Sequence, residues 1–138
     1  MKCPLIVTIT SGLLILLWSY AAVSKLAVFS YFKSQMSKQV FTAEVADILV
    51  YLVPFTELVL AGLLCFTLTR IYGFVLSAVL LAWFSIYIVL ILAGVFGKIP
   101  CSCGGVLSQL GWSEHLAFNL VFLALALIGF VSLKKEVA

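Results

Sequence analysis

Four apolar runs, each about as long as the hydrocarbon core of a bilayer is thick, leave this sequence few ways to fold. They cover about residues 5–29, 46–68, 71–95 and 115–133, and a spanning helix needs about 20 predominantly apolar residues. Within lipid only helices and closed barrels satisfy every backbone N–H and C=O. The runs lack the period-two alternation of barrel strands, so all four are expected to be helical. The predicted fold is therefore all-α: one domain over residues 1–138, built as a membrane-embedded four-helix bundle of two transmembrane hairpins. Thr69-Arg70 forms the tight turn between them. Composition closes off the soluble alternatives. The chain is 65% hydrophobic and 9% charged with a mean hydropathy of +1.31, against about half apolar and a quarter charged in soluble domains.

The first run begins like a secretory signal, with Lys2 ahead of it and Ser19-Tyr20-Ala21 as a passable cleavage site. It continues to Phe29, well beyond a signal core of about 7 to 15 residues, and is expected to be a retained helix. Cys3 has no apolar run before it and so does not read as an acylation site. The net charge of +3 is scattered along the chain rather than gathered into a basic stripe, which excludes a nucleic-acid surface.

Orientation rests on the short loops. One side carries Lys2, Arg70, Lys134 and Lys135, and the other carries Lys25, Lys33, Lys38 and Lys98. The basic residues balance, whereas Glu44, Asp47 and Glu114 all fall on the second side. The expected topology has both termini in the cytoplasm of a bacterial inner (plasma) membrane, with the loop after span three facing the periplasm. In the connection from Ser30 to Val45, Phe32, Met36 and Val40 recur at helical spacing, which predicts a short interfacial helix.

That outward loop reads Gly97-Lys98-Ile99-Pro100-Cys101-Ser102-Cys103-Gly104-Gly105. Cys101 and Cys103 are set apart from Cys3 and Cys65, which are isolated and expected to pack as small hydrophobes. A disulfide needs Cα atoms roughly 4.4 to 6.8 Å apart, and an extended chain puts residues i and i+2 at about 6.5 to 7 Å. A Cys101–Cys103 bridge therefore requires a bent backbone and would be strained, which makes a disulfide labile and oxidising. Alternatively one thiolate attacks a partner's disulfide and the other resolves the mixed species. Three other readings compete: a structural clip, a pair of thiols with no role, and a metal site using Cys101, Cys103 and His115. The last falls short of the four ligands and the wider cysteine spacing of closed zinc sites, so no metal is expected.

Beside the loop, Trp112, His115 and Asn119 share one helix face. His115 is a candidate proton relay, and the competing reading places Trp112 and His115 in the interfacial aromatic belt, with Asn119 bonding across helices. Glu57 lies about 16 Å into span two by helical rise, where a carboxyl needs a partner. Lys25 of span one is its natural counter-ion, the pair being a bundle-stabilising one; the alternative for Lys25 is snorkelling to the surface. Pro54, one turn before Glu57, frees a carbonyl nearby. Tyr20, Ser24, Ser85 and Tyr87 are expected to pack or bond between helices.

Taken together, the four spans, Tyr20 and Lys25, Phe32, Pro54 and Glu57, the cysteine pair with Gly105, and Trp112 and Asn119 resemble the MauE and DoxX-like redox-associated membrane proteins. The loop of that family commonly reads Cys-Gly-Cys-Phe-Gly; Cys101, Cys103 and Gly105 match it, while Ser102 and Gly104 depart. The resemblance implies a role in forming or maintaining disulfides of exported proteins, with a thioredoxin-like partner. In MauE itself it implies maturation of the disulfide-rich small subunit of methylamine dehydrogenase. Cys101 and Cys103 would be the redox pair. A quinone as electron acceptor follows only by analogy with other four-helix disulfide-forming membrane proteins. Two other classes stand beside this: a non-enzymatic assembly or anchoring subunit whose loop disulfide is structural, and a small-solute transporter using Glu57.

Overall fold

The computed structural model describes residues 4–38, 42–95 and 112–137. Five helices account for nearly all of them: α1 (Pro4–Ala27), α2 (Phe29–Ser37), α3 (Ala43–Cys65), α4 (Arg70–Leu92) and α5 (Trp112–Val137). Four of these, all but α2, are long and apolar enough to cross a bilayer. They form the expected four-helix bundle, and the chain is a multi-pass membrane protein in contact with lipid. Its outer surface agrees with that solvent, since large apolar side chains such as Leu16, Phe55 and Trp83 point outward, Trp83 being 70% exposed. In water such a surface would drive aggregation.

The closest associations are α1 with α3 and α4 with α5; α1 with α5 and α3 with α4 complete the ring. Consecutive spans are therefore neighbours, and α1 faces α4 across a diagonal. The central core joins all four spans through Leu14 and Trp18 of α1, Leu60 and Leu64 of α3, Phe74 and Leu81 of α4, and Ala126 of α5. Small residues let the backbones close up. A Cβ on Gly129 of α5 would collide with the Phe74 ring and approach the Thr10 hydroxyl.

The helix ends depart from the hydropathy boundaries for local reasons. α3 begins three residues before Ala46 because Thr42, in extended conformation, caps it, its Oγ1 accepting from the Val45 N–H at 3.3 Å. α3 also ends at Cys65 rather than Leu68. Thr69 Oγ1 donates to the Leu63 carbonyl and Arg70 Nε to the Leu64 carbonyl, satisfying acceptors that the last turn leaves open. α4 stops at Leu92 rather than Val95. Gly94 adopts φ 76°, and the Gly94 and Val95 N–H groups fold back onto the Ile91 and Leu90 carbonyls in a Schellman motif. α5 runs past Leu133, with Lys134 and Lys135 in its last turn, where cations favour the helix dipole.

The predicted interfacial helix is α2. Its Phe32 and Met36 are buried against Ala46 and Val50 at the start of α3, so the helix is docked on the bundle. Val40 lies outside the described residues.

Candidate functional site

The cysteine pair expected to carry the chemistry, Cys101 and Cys103, lies outside the described residues, in the connection between α4 and α5; Cys3 lies outside them too. Cys65, expected to pack as a small hydrophobe, is instead exposed, because it is the final residue of α3.

Among the described residues the bundle holds a buried ion pair. Lys25 Nζ sits 3.1 Å from Glu57 Oε2 and 3.2 Å from Oε1, and donates a third bond to the Ala21 carbonyl at 3.3 Å. Both residues are buried, Glu57 at 2% exposure. Lys25 does not snorkel. Helical side chains lean towards the N-terminus of their helix, and Lys25 follows that lean one turn back to Ala21, into the membrane rather than out of it. The Phe32 ring faces the same ammonium at 5.9 Å. α1, α2 and α3 therefore converge on one cation. Pro54, inside α3 three residues before Glu57, is buried and donates no N–H to the preceding turn.

A cavity of about 350 Å³ opens beside this pair. Lys25, Glu57, His115 and Asn119 meet in its lining, so four polar positions singled out in the sequence fall on one site contributed by three helices. His115 is half-buried and Asn119 buried, both near the start of α5. The side chain of Trp112, the first residue of α5, lies outside the described set. The Nδ2 of Asn119 has no hydrogen-bond partner among the described residues, where the sequence predicted a bond across helices.

For the two serines the bonds fall within one helix. Ser24 donates to the Ala21 carbonyl and Ser85 to the Leu81 carbonyl, each within its own helix. Serine in lipid has a backbone acceptor one turn away, and here it takes that local option. Tyr20 is largely exposed, whereas Tyr87 lines the cavity. A further bond runs between the diagonal helices α1 and α4, from Trp18 Nε1 to Ser77 Oγ, 2.9 Å and buried. Sequence reasoning missed both residues, although Trp18, Ala21, Ala22 and Lys25 recur at helical spacing and so present one continuous face.

No curated protein and no solved structure matches the chain. The family model of the methylamine utilisation protein MauE matches residues 3–132. That match takes in all four spans, the Lys25, Glu57 and Asn119 positions, and the connection with Cys101 and Cys103. The chain therefore belongs to the MauE family of methylamine utilisation membrane proteins.

Proposed function

We propose that this MauE family member is a thiol-disulfide redox protein of the bacterial inner membrane, assisting disulfide formation in exported proteins through Cys101 and Cys103. The observation that carries the reading is the cysteine pair itself. Two cysteines one residue apart, bracketed by Pro100 and Gly104-Gly105, form a bridge only under strain, and strained, accessible disulfides are the exchangeable ones. The pair belongs to the connection that joins α4 to α5 at the end of the bundle where His115 and Asn119 begin α5.

In this reading a client thiolate attacks one sulfur of the Cys101–Cys103 bridge, releasing the other as a thiolate. A second client thiol then displaces the mixed disulfide. The client leaves oxidised, and Cys101 and Cys103 are left as a dithiol holding two electrons and two protons. Exchange with the disulfide of a thioredoxin-like partner restores the bridge and reduces the partner. His115, near the start of α5 and half-buried in the cavity lining, is the proton relay, its imidazole taking up the proton that an attacking thiol gives up. The chemistry needs an oxidising compartment, so the connection faces the periplasm.

Mass-tag alkylation of isolated membranes tests this. Cys101 and Cys103 label only after reductant, and the Cys101→Ser, Cys103→Ser double variant loses disulfide formation in the exported client. Labelling unchanged by reductant, together with a fully active double variant, would overturn the reading and leave the loop a structural element of an assembly subunit.

A further inference from the structure

Apart from His115, the lining of the cavity beside the ion pair is not used in disulfide exchange. The cavity extends from the polar cluster of Lys25, Glu57, His115 and Asn119 to Trp83, Ile86 and Leu90 of α4, side chains on the outer, lipid-facing surface of the bundle. Its interior and the lipid are therefore continuous through α4. Between these ends the wall is aromatic and aliphatic, with Trp18, Phe32, Phe84 and Leu81.

Three observations define what fits. Asn119 is only 3% exposed, yet its Nδ2 finds no acceptor among the described residues. A buried donor without an acceptor is a standing cost, and inside a membrane no bulk water offsets it. The second observation concerns charge. Lys25 is held by both oxygens of Glu57, so the pair offers no net positive charge to an anionic head group. The third is the wall itself. A lipid-continuous cavity lined by indole and phenyl rings favours an apolar body, and a flat ring in particular.

The geometry points to a binding site for a neutral molecule drawn from the bilayer, a carbonyl head on an apolar body, with Asn119 Nδ2 donating to the carbonyl oxygen. Isoprenoid quinones and neutral acylglycerols share that chemistry. The site stands independently of the redox reading; if the occupant is a quinone, it lies in the same bundle as the cysteine pair.

Purified full-length protein in dodecyl maltoside, a detergent without carbonyl groups, supplies the test. Its unfolding midpoint is followed while decylubiquinone, dioctanoylglycerol, decanoate or decylbenzene is added, since a ligand that binds only the folded state raises the midpoint. Decylubiquinone or dioctanoylglycerol stabilises saturably, and whichever of the two does so names the source. Asn119→Leu weakens that affinity about tenfold, the equivalent of one lost hydrogen bond. The unliganded midpoint of Asn119→Leu stays level or rises, because an apolar side chain replaces an unpartnered amide. Ala21→Leu, which fills the cavity from α1 and leaves the Asn119 amide in place, abolishes binding and serves if Asn119→Leu does not fold. The Cys101→Ser, Cys103→Ser variant binds as the parent does, so a failure of the redox reading leaves this one standing. The proposal is overturned if decylbenzene binds as tightly as the carbonyl probes, if decanoate binds more tightly, if no probe binds, or if Asn119→Leu lowers the unliganded midpoint without changing affinity.

Discussion

Lys25 and Glu57 show how far single residues could be read in advance. A carboxyl deep in an apolar run needs a counter-charge, and the one lysine entering the same half of the bundle was identifiable from position alone. What position did not give was the direction of Lys25, which turns inward to Ala21 and Glu57. Nor did it give the Trp18–Ser77 bond, because the two residues lie on helices that are not sequence neighbours. The ion pair makes a quantitative prediction. Removing one partner leaves the other charge buried and uncompensated, at a cost of about 3–5 kcal/mol, whereas replacing both by apolar residues of similar size is near neutral. Glu57→Met and Lys25→Met should each lower the denaturation midpoint in detergent, and the Lys25→Met, Glu57→Met double variant should recover most of the loss. If the double variant were as unstable as the sum of the singles, the pair would not be acting as a unit.

Among the elements, the four spans were legible as lengths of apolar sequence, but their boundaries were not. Hydropathy sees neither the Thr42 cap that starts α3 early nor the Gly94 turn that ends α4 three residues before the apolar run does. Side-chain and backbone hydrogen bonds set those ends. The short helix α2 was legible from the spacing of Phe32 and Met36, and its docking on α3 was not. Contact between elements also turns on residues with no hydropathy signal. Gly129 lets α5 approach the Phe74 ring of α4 and Thr10 of α1, and Phe74 is fully buried. Gly129→Ala should therefore destabilise the bundle by about 1–3 kcal/mol through overpacking. Adding Phe74→Leu should recover part of the loss, as read by the same denaturation midpoints. A Gly129→Ala protein with an unchanged midpoint would show that the helices have slack there.

For the whole molecule, four spans place both termini on one side of the membrane and the α4–α5 connection on the other. The proposed function puts that connection in the periplasm, the side on which Glu44, Asp47 and Glu114 were expected from the sequence. A green fluorescent protein fused to the C-terminus should accordingly fluoresce in cells, and after reduction Cys101 and Cys103 should react with a membrane-impermeant maleimide from the periplasm. A dark fusion with unreactive cysteines would invert the topology and remove the oxidising compartment from the redox reading. Its apolar runs alone make this chain a helical, four-span membrane protein. In lipid only helices and closed barrels satisfy every backbone group, so the length of the apolar runs and their lack of period-two alternation decide both the number and the type of elements. Which helices touch emerges only in the folded bundle, and with it the inward Lys25, the Trp18–Ser77 bridge and the cavity where His115 and Asn119 join the ion pair. Helices in lipid gain little from hiding apolar surface from apolar solvent. Their arrangement is instead set by close fit and specific bonds between residues far apart in the chain, and periodicity within one helix does not encode those relations.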